Sequence, residues 1–256
     1  MKLKQFIQQL DLMYPLANKE IWDPSGYSVK FNQAKKFKGA VLAIDVTLEV
    51  IQTAIDNDCN LILTHHPFYF EATKALEKEK APYKQELHKL LKQHQITVYS
   101  MHTNYDCELY GTSYQIVKYL GLNQYFDTNS AKFSAIVNHS LTLNQLVDLL
   151  KNKLNLNALR TNVMNDDQQF NHIAFLSGSG YVGQINQLHD QGCDLIVSSD
   201  FRWSDWVNFD QHQVNILEVP HLDEQVFAMH MQELLSTKFP KEKFVLKLIS
   251  NFYRNI

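Results

Sequence analysis

Apolar and polar positions follow one another along the chain in blocks that predict helices and strands in turn. Residues 3–13 carry apolar side chains at helical spacing, which predicts an amphipathic helix at the start of the chain. A strand over 40–46 and a helix over 48–55, capped by Thr47, then begin a regular alternation. It continues through predicted elements at 60–64, 82–93, 96–101 and 113–120. Such an alternation of strands and helices predicts an α/β fold with a largely parallel sheet.

A polar stretch without periodicity, residues 123–131, separates this series from a second one. The second series again alternates between the two kinds of element, with strands or helices predicted over 133–137, 143–154, 159–163 and 172–176 and a helix that ends near residue 190. We therefore predict two α/β lobes with mixed, largely parallel sheets flanked by helices. The first lobe covers 1–128 and the second 129–221, and the segment 222–256 is predicted to pack back on the first lobe.

An internal repeat relates the two series to each other. Residues 59–64 resemble residues 193–198, and in each series a His-Gln pair then precedes a strand that leads to His102 or His221. Two matches in the same order predict that the lobes are related units. The positions after the first matched strand are polar in both copies: His65-His66 in the first and Ser199-Asp200 in the second.

Composition excludes several classes of protein. The chain has 256 residues, a formal net charge of -3 and 45% hydrophobic residues, so a packed core is expected and binding to nucleic-acid phosphates is not. No run of 18 apolar residues and no apolar signal core occurs, which predicts a cytoplasmic location without membrane association. The three cysteines are far apart and are predicted to be reduced. P-loop, dinucleotide-binding and activated serine or cysteine signatures do not occur.

Side chains that bind metals follow two of the predicted strands. One apolar run ends in His65 and His66, and another ends in His102, with Asp106 four residues later. Ligands bind at the carboxyl ends of the strands in an α/β sheet, so we expect these side chains to converge on one crevice. Imidazole and carboxylate together at that position indicate a metal site.

Each of these signals has a structural alternative. Adjacent side chains on a strand point to opposite faces, so His65 and His66 cannot both bind one ion unless the chain bends there. Their divergence favours two ions over one, and Pro67 holds His66 in an extended conformation. The alternative is that one histidine binds metal and the other serves packing. For His102 and Asp106 the alternative is a hydrogen bond of purely structural value.

A third signal lies near the end of the chain, where His221 and Glu224 are three residues apart at a predicted helix start. This spacing places both side chains on one face of the helix. The alternative is that Asp223 and Glu224 only complement the dipole of the helix, which leaves His221 unexplained.

Together these motifs resemble, in order and spacing, those of the GTP cyclohydrolase 1 type 2 homologue family. The resemblance runs through nearly the full chain, at Trp22-Asp23 to Gly26, residues 43–47, Thr64-His65-His66-Pro67 with Phe70, His102-Thr103-Asn104 to Asp106, Gly178-Ser179-Gly180 and His221. It implies a toroidal homohexamer. Each subunit would hold a dinuclear metal centre in the cleft between its two α/β lobes.

Carried over residue by residue, the resemblance also implies a set of metal ligands. The set is His65, His66, Asp106, His221 and a following glutamate. The family usually has that glutamate four residues after the histidine, where this chain has Gln225, whereas the acid here is Glu224. Glu224 is therefore the predicted ligand and Gln225 the alternative occupant of that position.

We predict from these residues a dinuclear metal-dependent hydrolase, which by resemblance acts on GTP or another nucleotide or phosphoester. Nitrogen and oxygen ligands favour two divalent transition-metal ions drawn from Zn, Mn, Fe, Co and Ni. His102 is the predicted catalytic proton shuttle, since histidine can gain and lose a proton near neutral pH. The alternative is a noncatalytic, metal-stabilised hexameric scaffold or interaction protein.

Overall fold

The structure, a computed structural model, describes residues 1–253. Within that range the chain forms two compact units. Unit 1 combines Met1–Cys107 with Phe227–Ile249, and unit 2 is formed by Glu108–Val226 together with residues 250–253.

The lobe bounds predicted above, 1–128 and 129–221, stay a prediction. The segment predicted to pack back on the first lobe, 222–256, extends beyond the described residues at positions 254–256. Its strand Phe244–Leu246 pairs with the sheet of unit 1.

The described residues contain short strands and short helices that alternate along most of the chain. The strands, in chain order, are β1 (Gly26–Val29), β2 (Ala40–Ala43), β3 (Leu61–Thr64), β4 (Thr97–Ser100), β5 (Phe126–Asp127), β6 (Ala135–Thr142), β7 (Arg160–Thr161), β8 (Gln169–Phe175), β9 (Leu195–Ser198), β10 (Ile216–Glu218) and β11 (Phe244–Leu246). The helices are α1 (Leu3–Met13), α2 (Leu48–Asp56), α3 (Lys74–Lys80), α4 (Lys84–His94), α5 (Thr103–Asp106), α6 (Thr112–Leu120), α7 (Leu143–Leu154), α8 (Val182–Asp190), α9 (Trp203–His212) and α10 (Val226–Lys238). Three-residue 3-10 turns lie at Leu16–Asn18 and Asn123–Tyr125, and a longer one at His221–Gln225.

In unit 1 the sheet has the order β1-β4-β3-β2-β11. Among the described residues of this sheet, β1 and β4 pair antiparallel and the other neighbouring strands pair in parallel. All residues of β2, β3 and β4 are buried, because helices cover both faces. Apolar side chains of α1 and α10 pack on one face, and those of α2 and α4 on the other. In register, Ala43 lies beside Thr64 and Thr64 beside Ser100, so the three strands end at one edge of the sheet.

The sheet of unit 2 has the order β5-β6-β8-β9-β10-β7. Its central strands β8, β9 and β10 run parallel, and the outer pairings are antiparallel. The fold is thus mixed α/β in both units, as the sequence predicts.

The predicted internal repeat is present in the backbone of the two units. In each, three parallel strands are connected through helices, as β2-α2-β3 with α4-β4 and as β8-α8-β9-α9-β10. The amide of Cys59 donates to the carbonyl of Ala54 at 2.9 Å, and the amide of Cys193 donates to that of Leu188 at 3.0 Å. Gln95 and Gln213 end the matching helices in left-handed conformation, with φ of 56° and 57°.

Local signals predicted the helix ends well. Thr47 caps α2 through the amide of Val50, Thr142 caps α7 through that of Gln145, and Gly121 ends α6 in left-handed conformation. Helix α9 was not predicted, because only Phe209 of its residues is buried and its apolar period is weak. Within residues 1–253, every helix falls short of the length and apolar character needed to cross a bilayer.

Candidate metal centre

Three histidines of unit 1 meet at the edge where the parallel strands end. His65 and His66 directly follow β3, and His102 lies two residues after β4. The ring centroid of His65 lies 5.1 Å from those of His66 and His102, and the latter two are 5.6 Å apart. One ring nitrogen from each lies within 4.8 Å of the other two, so the three imidazoles could hold a metal ion.

A bend in the chain brings the adjacent pair His65 and His66 together. Strand β3 ends at Thr64, and both histidines lie in a bend beyond it. The hydroxyl of Thr64 donates to the carbonyl of His66 at 2.8 Å, which closes the bend. The opposite-face rule for strands therefore does not apply, and the rings converge instead of diverging.

The Nδ1 atoms of this pair both lie against a hydrogen-bond acceptor. Nδ1 of His65 is 3.0 Å from the carbonyl oxygen of Met101, and Nδ1 of His66 is 3.0 Å from Oδ1 of Asp45. Such an acceptor places the ring proton on Nδ1, which leaves Nε2 as the nitrogen for a metal and fixes the ring orientation. This is the usual arrangement around metal-binding histidines.

His102 has the same arrangement, with a buried carboxylate as its partner. Its Nδ1 lies 3.3 Å from Oδ1 of Asp23, a side chain that also accepts from the hydroxyl of Ser25 and from the amide of Thr103. Burial raises the pKa of Asp23, but the hydrogen bonds from His102, Thr103 and Ser25 and the charge of His102 outweigh it and hold this pKa well below 3.8. Asp23 is thus an ionised group, although only 2% of its surface is exposed.

Asp106 adds a carboxylate to the same cluster. It lies one helical turn after His102, and its amide donates to the carbonyl of that residue at 3.0 Å. Its Oδ1 lies 3.5 Å from Nε2 of His65, and the side chain is nearly buried. The structure thus brings His65, His66, His102 and Asp106 together within unit 1.

Unit 2 contains the remaining predicted ligands as a separate pair. His221 begins the 3-10 turn after β10, and its Nε2 lies 2.9 Å from Oε2 of Glu224. Its Nδ1 lies 2.6 Å from Oδ2 of Asp200, which again gives an imidazole held by a carboxylate. Glu224 is buried, with 4% of its surface exposed.

The 3-10 geometry explains why Glu224, and not Gln225, faces His221. Side chains three residues apart eclipse one another in a 3-10 helix, whereas in an α-helix the partner is as often four residues away. Gly178 packs against the same carboxylate. A β-carbon at this glycine, whose φ is +56°, would lie 2.3 Å from Oε1 of Glu224.

The charges around His221 favour a cation. Burial lowers the pKa of His221, but the charge of Glu224 and the hydrogen bonds to Asp200 and Glu224, with a further contribution from Asp223, raise it to about 12. Burial and the charge of Glu224 raise the pKa of Asp223 well above its ordinary value. A site that favours an imidazolium so strongly has surplus negative charge, and a divalent ion on a neutral imidazole would compensate it. The donor set thus fits a metal.

The carboxylates that hold the imidazoles were not predicted as site residues. Asp45 follows β2, Asp200 follows β9, and Asp23 precedes β1. A signal for them existed, because each is an acid beside a strand end and thus at an edge where the histidines also lie. Sequence spacing could not pair them, since the partners are 21 to 79 positions apart.

Comparisons with known proteins identify the family of the chain. The family model of Duf34/NIF3 (NGG1p interacting factor 3) matches residues 1–255. The chain belongs to the Duf34/NIF3 family. Among curated relatives, the GTP cyclohydrolase 1 type 2 homolog of Mycoplasmopsis pulmonis is 32% identical over 253 residues, covering 96% of this chain and 97% of its own. The GTP cyclohydrolase 1 type 2 of Helicobacter pylori strain J99 is 27% identical, covering 91% of each chain.

A solved bacterial structure shares the fold. The crystal structure of the Staphylococcus aureus hypothetical protein SA1388 is similar with a TM-score of 0.86 and 25% identity, covering 100% of this chain and 99% of that chain. The resemblance to the GTP cyclohydrolase 1 type 2 homologue family, stated from motifs above, is therefore confirmed.

Proposed function

We propose that this Duf34/NIF3 protein is a metal-dependent hydrolase that acts on GTP or another nucleotide or phosphoester. The observation that carries the proposal is shared by four histidines: His65, His66, His102 and His221 each have Nδ1 beside a carbonyl or carboxylate oxygen. A metal-binding histidine usually has one ring nitrogen beside such an acceptor, because this contact orients the other nitrogen toward the metal. A histidine that only packs in the core does not require this contact. The names of the curated relatives support GTP as the first substrate to test.

We further propose that the protein binds two divalent transition-metal ions. The proposed ligands are His65, His66, His102 and Asp106 of unit 1 and His221 and Glu224 of unit 2. Mixed nitrogen and oxygen donors suit Zn, Mn, Fe, Co or Ni better than Ca or Mg. A carboxylate such as that of Asp106 can bridge two ions, which an imidazole cannot.

The chemistry needs little else from the protein. A bound divalent transition metal supplies Lewis acidity, which lets water attack an electrophile at neutral pH. Asp45 and Asp200 orient the imidazoles of His66 and His221, and each adds negative charge that makes its imidazole a stronger donor. Burial of His65 restricts the access of bulk water to one side of the cluster.

His102 has two roles that its surroundings support. As predicted from the sequence, it could carry a proton, because Asp23 fixes its orientation as a carboxylate does in an acid–base dyad. Its nitrogen also lies within 4.8 Å of those of His65 and His66, which fits a third imidazole ligand. We propose the ligand role, since the clustering of three imidazoles has no use in proton transfer alone.

The test compares the parent with His65→Ala, Asp106→Ala and the control variant His94→Ala, whose histidine is exposed at the end of α4. Metal content is measured by mass spectrometry, turnover with GTP and a generic phosphoester, and assembly by native mass spectrometry. We expect both site variants to lose metal and turnover together while the control keeps both. An unchanged metal content in the site variants would contradict the ligand assignment.

The same measurements separate the noncatalytic alternative. Suppose that removal of the metal dissociates a homohexamer and that the parent, loaded with each metal in turn, shows no turnover. This result would identify a metal-stabilised ring and contradict the proposed hydrolase. The homohexamer itself is part of the proposal. A parent that is monomeric at micromolar concentration in native mass spectra would exclude it.

A further inference from the structure

Two large aromatic side chains are exposed beside the histidine cluster of unit 1. Trp22 has 60% of its surface exposed and Phe70 has 46%. Their ring centroids are 6.0 Å apart, and they lie 5.8 Å and 6.3 Å from the ring of His102. The two rings together form an exposed apolar patch next to a polar cluster, a combination that is typical of ligand-binding sites.

Trp22 lies on a segment that the metal-site machinery itself holds in place. The next residue is Asp23, the buried carboxylate that contacts His102 and accepts from the amide of Thr103. Asp23 therefore ties the position of the indole to that of the imidazole. A ligand bound at the histidine cluster would therefore lie beside this aromatic surface.

Phe70 is held in place by a second buried carboxylate. Its amide donates to Oε2 of Glu77 at 2.8 Å, as does the amide of Glu71. Oε1 of Glu77 pairs with Nζ of Lys84 at 2.6 Å, a lysine that is itself largely buried. The loop after the histidine pair is thus fixed by several hydrogen bonds, and Phe70 is exposed although its backbone is anchored.

We propose that the exposed rings of Trp22 and Phe70 form a stacking platform for the purine ring of a nucleotide substrate. The inference rests on the proposed function and names its substrate class. The two rings are tilted by 54° and contact each other, so they offer a surface and not a slot. A surface made of two rings gives a bicyclic purine more contact than a pyrimidine.

Stacking also sets what this platform can distinguish. Every base has an aromatic face, so stacking alone tolerates guanine and adenine alike. It rejects phosphoesters that lack a ring. We therefore expect purine nucleosides to bind at this surface even without phosphate, and sugar phosphates to gain nothing from it.

The competing occupant is a second subunit, because Ile21 beside Trp22 is also fully exposed. An interface would need a broad apolar area, whereas His102, whose ring lies next to these two rings, is polar. Subunit contact is therefore measured as an outcome of the test.

The experiment measures guanosine binding, which depends on neither a phosphate nor a metal. Because the chain contains three tryptophans, the double variant Trp203→Phe/Trp206→Phe leaves Trp22 as the only indole reporter. In that background, guanosine and adenosine should quench fluorescence, whereas ribose 5-phosphate should not. Adding Phe70→Ala should weaken guanosine binding by about tenfold, the size expected for loss of part of one stacking contact.

Equilibrium dialysis of guanosine then tests Trp22 itself. Trp22→Ala should weaken binding by about tenfold and Trp22→Phe should restore most of it. Trp203→Ala, which removes an indole that is 82% exposed in unit 2, is the matched control and should have no effect. Melting curves of all variants confirm that each is folded.

The outcomes separate this inference from the proposed function. Unchanged guanosine binding in Trp22→Ala overturns the platform, even if the protein hydrolyses GTP. The same holds if Trp22→Ala changes the mass of the assembly in native mass spectra but leaves guanosine binding intact. A third outcome is that guanosine binding depends on Trp22 but the protein, loaded with each metal in turn, hydrolyses no nucleotide. This outcome would support the purine-binding platform and contradict the proposed hydrolase activity.

Discussion

Oδ1 of Asp45 lies 3.0 Å from Nδ1 of His66, and the two residues are 21 positions apart in the chain. Asp200 and His221 have the same separation in sequence and a distance of 2.6 Å. In both cases the acid follows one strand of a parallel pair and the histidine follows the next strand. The strand-helix-strand repeat thus builds a carboxylate–imidazole pair in each unit, because it returns the chain to the same edge of the sheet.

The first prediction concerns the carboxylate behind His66. Asp45→Asn removes the charge that fixes the imidazole, so we expect metal affinity to fall by about 10- to 100-fold with little loss of stability. Competition with a chromogenic chelator measures the affinity. Asp58→Asn is the control, since Asp58 is an exposed acid of unit 1 that forms a surface ion pair with Lys38. Equal losses in both variants would contradict a role in orienting His66.

The second prediction separates the two roles of His102. If its ring binds metal, His102→Ala lowers the metal content of the purified protein, and we expect this result. If it only carries a proton, the metal content stays at the parental value while turnover falls. Elemental analysis of protein purified without added metal distinguishes the two. His94→Ala is the control, because that ring is exposed at the end of α4.

The sequence predicted which histidines lie at the strand ends, but it did not predict how their rings are arranged. The strand ends and the repeat could be inferred from apolar runs, because burial of both faces of β2, β3 and β4 imposes them. The bend at His65-His66 could not be inferred, since it depends on one hydrogen bond from Thr64. The spacing of His221 and Glu224 did predict that they share a face, but the 3-10 turn that pairs them was not predicted, because an α-helix was expected there.

The third prediction uses the buried carboxylate of Asp23. Its pKa is held below the ordinary value of 3.8, despite burial, by hydrogen bonds from His102, Thr103 and Ser25. The folded state therefore binds this proton less readily than the unfolded state does. The resulting stabilisation is fully present above about pH 4 and is lost as the pH falls through the lower, folded pKa.

Urea unfolding of the metal-free protein between pH 6 and pH 2.5 tests this sign. We expect Asp23→Asn to be less stable than the parent at pH 6, because the amide cannot replace the charge beside His102. The difference in unfolding free energy should shrink below about pH 4, where the parent loses the same contribution. A constant difference across the whole range would show that titration of Asp23 does not contribute.

The fourth prediction compares two glycines that share a backbone conformation but differ in surroundings. Gly178 and Gly121 both have positive φ, at +56° and +82°, so alanine at either should cost about 1–2 kcal/mol of stability. A β-carbon at Gly121 would contact nothing within 4 Å, whereas at Gly178 it would lie 2.3 Å from Oε1 of Glu224. That carboxylate is the end of a flexible side chain, so it can move away, but it then leaves Nε2 of His221.

Gly178→Ala should therefore weaken metal binding as Glu224→Gln does, and Gly121→Ala should not. Calorimetric titration of the metal-free variants measures both effects, and equal metal affinities for the two alanine variants would exclude Glu224 as a ligand positioned by this contact.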